Sequence, residues 1–126
     1  GNIIPLFAPE NELKKLVMRI VTNSQTLEEP KDPDTCNVFS LYKHFASAEQ
    51  VKTLEKRYRE GGMGWGHAKT ELLQVMNAEL APLREKYNYL LEHKDYIDEL
   101  LLNGSQRARE LASVKMQSLR QLVGLA

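Results

Sequence analysis

An all-α fold, a bundle of about five or six helices, is what this sequence predicts, and three observations predict it. Apolar residues recur at three- and four-residue spacing in one segment after another. No segment shows the alternation of a half-buried strand, and no internal repeat is present. The 126 residues, 42% hydrophobic and 27% charged, suffice for one ordinary domain with its own core.

The first helix is expected over residues 9–23. Pro9 suits a helix start, Glu10 and Glu12 lie where the helix dipole favours anions, and Leu13, Leu16, Val17, Ile20 and Val21 form a stripe. Residues 25–34 hold two prolines and four acids, which predicts an irregular linker. A second helix follows over about 35–46, with Val38, Leu41, Tyr42 and Phe45 inward. Ser47 and Gln50 form a capping-box pair that opens a third, with Val51, Leu54 and Tyr58 inward. Gly61 and Gly62 should stop it. A long helix over about 66–92 buries Leu72, Leu73, Met76, Leu80, Leu83, Tyr87 and Leu91, and should be kinked at Pro82. A short helix over 95–102 is expected to end at Asn103-Gly104. The last runs over 105–123, with Ala108, Leu111, Ala112, Leu119 and Leu122 toward the core.

Seventeen basic and seventeen acidic residues cancel, which excludes a general nucleic-acid coat and leaves room for a local basic face. After Leu101 the charges are Arg107, Arg109, Lys115 and Arg120 against Glu110. Cys36 stands alone, so no internal disulfide forms and a reducing compartment fits. No apolar run reaches the ~18 residues of a membrane span and no signal peptide is visible. A cytoplasmic protein without membrane contact is expected. Gly1-Asn2-Ile3-Ile4-Pro5-Leu6-Phe7 is apolar almost from its start. It reads as the cut edge of a longer chain, with Ile3, Ile4, Leu6 and Phe7 meant for a buried contact.

No catalytic constellation is present. His44, His67 and His93 lack partners at metal-ligand spacing, and Cys36 has no adjacent base. Gly62-Met63-Gly64-Trp65-Gly66 ahead of a helix can cradle phosphate or form a tight corner with Trp65 in the core. His67 and Lys69 oppose the dipole at that helix start, so either an anion lies nearby or both point into water. Lys43 with His44, Lys52 with Lys56, Arg57 and Arg59, and Arg107 with Arg109, Lys115 and Arg120 read as solvated helix faces or as phosphate contacts. Tyr42, Tyr58 and Trp65 are candidates to stack bases, although their spacing suits the core better.

The order of segments resembles the C-terminal region of bacterial-type tryptophanyl-tRNA synthetases. Pro5-Leu6-Phe7-Ala8-Pro9, Glu12-Leu13-Lys14-Lys15 and Met18-Arg19-Ile20-Val21-Thr22 resemble the stretch after that family's Lys-Met-Ser-Lys-Ser loop. Val38-Phe39-Ser40-Leu41-Tyr42-Lys43 resembles its next helix. Gly62-Met63-Gly64-Trp65-Gly66 with Lys69 resembles its glycine-aromatic-glycine turn, with Trp65 where tyrosine is usual. Leu80-Ala81-Pro82-Leu83-Arg84, Gly104-Ser105, Arg107-Ala108 and Val123-Gly124-Leu125 complete the likeness, which spans the chain.

The resemblance implies that residues 1–126 form a single helical domain that binds the anticodon end of tRNA(Trp). Its tRNA-binding candidates are Lys43, Lys52, Lys56, Arg57, Arg59, Lys69, Arg107 and Arg109. It implies a parent enzyme, a homodimer through its catalytic domain, that activates tryptophan with ATP and magnesium. Neither His-Ile-Gly-His nor Lys-Met-Ser-Lys-Ser occurs in this chain, so it should carry no catalytic or cofactor-binding residue and be inactive alone. Three other readings stay open: a helical protein-interaction module without an RNA role, the equivalent domain of a tyrosyl-tRNA synthetase, and an independent small enzyme.

Overall fold

The computed structural model describes residues 3–125. Gly1, Asn2 and Ala126, with the expectations placed on those ends, lie outside the described residues. The helices are α1 (Glu10–Met18), α2 (Asn37–Phe45), α3 (Ala48–Glu60), α4 (Trp65–Glu92) and α5 (Lys94–Leu122), and among the described residues there is no strand. The chain forms two compact units that divide within α4, between Glu85 and Lys86.

The first unit holds the core. Leu13 and Val17 of α1, Val38, Phe39 and Tyr42 of α2, Leu54 and Tyr58 of α3, and Ala68, Leu72, Met76 and Leu80 of α4 are buried together with Cys36 and Met63. The stripes read from the sequence supply most of it, while Phe39, Ala68, Cys36 and Met63 lie outside them and Leu41, Phe45, Val51 and Leu73, expected inward, are only partly buried. Ser47 caps α3 as expected: its hydroxyl accepts from the Gln50 N–H, and the Gln50 side chain accepts from the Ser47 N–H.

α1 ends at Met18, short of residue 23. The Lys69 ammonium of α4 donates to the Met18 carbonyl at 3.1 Å, which satisfies one of the open carbonyls at the helix end. Val21, expected inward, is exposed.

Residues 25–34 have no regular structure, yet they are fastened to the helices. The Lys31 N–H donates to the Tyr58 carbonyl at 2.7 Å. Its side chain is 2% exposed and lies 5.3 Å from the centre of the Trp65 ring. Its ammonium donates to the Thr26 and Glu29 carbonyls at 2.9 and 3.1 Å. The Thr26 N–H holds the Glu29 carboxyl below the usual carboxylate range, and the Asp34 N–H with the Thr35 hydroxyl does the same for Asp32.

The second unit departs furthest from expectation. The two helices predicted over 95–102 and 105–123 are one helix, α5, which runs through Asn103-Gly104. A glycine stop needs a left-handed residue, and among the described residues only Gly61, Gly62 and Gly124 adopt positive φ. A mid-helix glycine costs only about 1 kcal/mol, and the Ser105 hydroxyl adds a bond to the Leu102 carbonyl. No residue of α5 is buried. Leu111, Leu119 and Leu122, expected in the core, are exposed, as are Leu83, Tyr87 and Leu91 of α4. Their stripes are amphipathic, but no described element covers them. α4 continues as helix through Pro82.

Two glycines should respond in opposite ways to alanine. Gly61 has φ +80°, and a Cβ there would stand 2.4 Å from the Glu28 carbonyl oxygen. Gly61→Ala is therefore expected to lower the stability measured by urea unfolding, by about 2 kcal/mol. Gly104 lies inside α5 with nothing within 4 Å of its Cβ position, so Gly104→Ala should raise helicity measured by circular dichroism, by about 1 kcal/mol of helix stability. Lys31→Ala removes two charged hydrogen bonds and a cation–π contact. It should cost about 2 kcal/mol in urea unfolding without loss of helix content.

Candidate nucleic-acid interface

The candidate cations divide by what already holds them. On α3, Arg57 donates to the Glu71 carboxylate of α4. Arg59 lies between Glu55 at 3.0 Å and Asp34 at 3.4 Å, and Lys56 pairs with Glu60 at 3.7 Å. Such exposed pairs contribute little stability, but each sets a carboxylate beside a cation and weakens its field for an incoming phosphate. Lys69 is turned inward to the Met18 carbonyl, away from any surface anion. Lys43 lies 5.6 Å from the Phe39 ring centre. Lys52 on α3, and Arg107 and Arg109 on α5, have neither ion pair nor hydrogen bond among the described residues and are exposed.

The glycine turn is a corner with a close approach on one side. Gly61 takes φ +80° and Gly62 φ +77°, so both use the conformation that glycine allows at no steric cost. Residues 27–30 pass against Gly61 and Gly64. Trp65 packs edge-on to Tyr58, with ring centres 6.0 Å apart at 75°, and so plugs the corner as one of the two sequence readings held.

Tyr58 also meets Phe39 at 5.3 Å and the Cys36 thiol at 3.6 Å. Burial first, and that contact second, push its hydroxyl well above the usual tyrosine range. Tyr42 is buried and likewise raised, chiefly by burial. Neither ring can be offered to a base. The exposed tyrosines are Tyr87, Tyr89 and Tyr96; the sequence pattern suggests none of them for stacking and places Tyr87 in the core. No sequence signal separates them, because the apolar stripe of α4 continues to Leu91 while burial ends at Leu80.

Beside α1 lies an apolar groove of 660 Å³, lined by Ile3, Ile4, Leu16, Arg19, Ile20 and Leu41 among others. Ile3 and Leu6 are exposed, while Ile4 packs against the core. Among the described residues no group of three or more His, Cys, Asp or Glu side chains could hold a metal ion, and no helix is long and apolar enough to cross a membrane.

No family model matches the chain. Individual relatives do. The tryptophan–tRNA ligase of Pseudomonas aeruginosa is 45% identical over 98% of this chain, that of Campylobacter jejuni 43% over 98%, and that of Rhodopirellula baltica 38% over 99%. The chain spans 28%, 39% and 39% of their respective lengths. The crystal structure of the tryptophanyl-tRNA synthetase from C. jejuni with ADP and tryptophan superposes with a TM-score of 0.86 at 42% identity, covering 95% of this chain and 38% of that one. In sequence and in fold, then, this chain is a homologue of the C-terminal part of the tryptophan–tRNA ligases.

Proposed function

We propose that this chain is the tRNA-facing part of a cytoplasmic tryptophan–tRNA ligase, which activates tryptophan with ATP and magnesium and joins it to tRNA(Trp). The observation that carries this reading is 45% identity over 98% of the chain to a relative of that name. The remainder of such a ligase, about 61% of the C. jejuni relative's length by difference from the 39% covered, supplies the chemistry and the homodimer contact.

What this chain does is hold RNA and hold its neighbour. Lys52 in the first unit and Arg107 and Arg109 in the second are, of the candidates, the cations free to displace counterions from phosphates. Lys43 keeps its charge accessible beside Phe39. Arg57, Arg59 and Lys56 serve RNA only by opening the pairs with Glu71, Glu55, Asp34 and Glu60. Lys69 acts from within, by keeping α1 in place. The groove beside α1, with exposed Ile3 and Leu6 near it, faces the catalytic domain of the same polypeptide. Burying such apolar surface is worth roughly 25 cal/mol per Å².

Binding of a tRNA(Trp) transcript by the 126-residue chain should be weak and salt-sensitive. Lys52→Ala, and separately Arg107→Ala, should each flatten the slope of log K against log salt by about one unit, and Lys69→Ala should leave it unchanged. Equal slopes in all four proteins would make these residues a solvated surface, and no binding by the parent chain would sink the tRNA reading. Tryptophan-dependent exchange between pyrophosphate and ATP should be undetectable with this chain alone, and measurable exchange would refute the assignment of catalysis to the rest of the ligase.

A further inference from the structure

We infer that the aromatic rings at the junction of α4 and α5 are a stacking platform for an unpaired base of the bound RNA, an inference that rests on the tRNA-facing reading above. Tyr89 is 52% exposed. The His93 ring lies against it with centroids 4.0 Å apart and planes 20° from parallel. The pair is fixed from behind by a 2.8 Å hydrogen bond between His93 Nδ1 and the Tyr89 carbonyl oxygen. Tyr96, in the first turns of α5, is exposed as well. All of this lies within the second unit.

Two flat rings already stacked in solvent present a further π-face, and every nucleobase has one to add. Stacking of this kind accepts any sequence and is the usual way proteins hold single-stranded nucleic acid. Of the rings the sequence suggests for this role, Tyr42 and Tyr58 are enclosed in the core of the first unit and Trp65 packs against it.

Charge decides which part of a nucleotide the platform takes. Glu92 and Asp95 offset Lys86 and Lys94 around it, so no net positive field draws a phosphate to the rings themselves, while a neutral base needs none. Two further unpaired cations, Arg107 and Arg109, stand farther along α5. Thirteen residues separate Lys94 from Arg107, roughly 20 Å of helix, a span of a few nucleotides. A base held at the start of α5 and phosphates held along its later turns fit one stretch of single strand.

The test measures binding of a tRNA(Trp) transcript to the 126-residue chain across a salt series, with helix content followed by circular dichroism. Tyr89→Ala should weaken binding roughly 5- to 150-fold, the range that loss of one base stack gives, with an unchanged salt slope because no phosphate contact is lost. Tyr89→Phe should bind like the parent. Tyr89→Leu, which keeps bulk and removes only the π-face, should bind like the alanine variant and covers the case in which alanine disturbs the helix end. If the parent binds and the folded leucine variant binds equally well, the rings only pack the helix junction and the inference is overturned, while the tRNA-facing role stands. A weakened variant with a flattened salt slope would also overturn it, since the loss would then be electrostatic. If the parent binds no tRNA, both readings fall together.

Discussion

The first unit depends on the environment of one side chain, Tyr58. Its ring is fully enclosed, touching Phe39 of α2 and Trp65 of α4, and its hydroxyl meets the thiol of Cys36. Its own carbonyl takes the N–H of Lys31. Three helices and the 25–34 segment thus converge on a single residue of α3. Lys31 follows from this. Drawn in by its backbone bond, its ammonium would be a costly buried charge had the loop not turned two carbonyls toward it and the Trp65 face not lain beside it. The segment without regular structure is therefore held by polar groups that are satisfied inside the fold.

Much of this was legible in the sequence, and the part that was not has a common cause. Ser47 and Gln50 act within one turn, as do Gly61 and Gly62, so short-range patterns located both ends of α3. Tyr58 and Leu54 share a stripe, and their burial followed. Lys31 gave no such signal, because its burial is set by residues 27 and 34 positions away, Tyr58 and Trp65. Met18 ends α1 for the same kind of reason, since the lysine that takes its carbonyl is 51 positions away. At Asn103-Gly104 the local signal misled: glycine permits a stop without compelling one, and no left-handed residue forms there. The apolar stripe of α5 was read correctly as a stripe, but periodicity says only that a face is apolar, not what covers it.

The candidate interface shows the same division between composition and place. A net charge of zero hides how unevenly cations are committed. On α3 the arginines stand against carboxylates, and Lys69 is turned to a backbone carbonyl, whereas Lys52, Arg107 and Arg109 are left open. Sequence could gather the basic residues into clusters, but which members are neutralised depends on Glu71 and Asp34, contributed by other parts of the chain.

Trp65 is the single tryptophan of the chain, and its indole sits where the 25–34 segment, α3 and α4 converge. Its emission is therefore a label-free reporter of that junction. The ammonium of Lys31 at 5.3 Å perturbs its excited state, and Tyr58 at 6.0 Å passes it energy, so departure of the segment changes both spectrum and intensity while the helices stay intact. Opening of the loop and melting of the bundle become separable events in one cuvette, read by the indole emission that the single tryptophan confines to this junction.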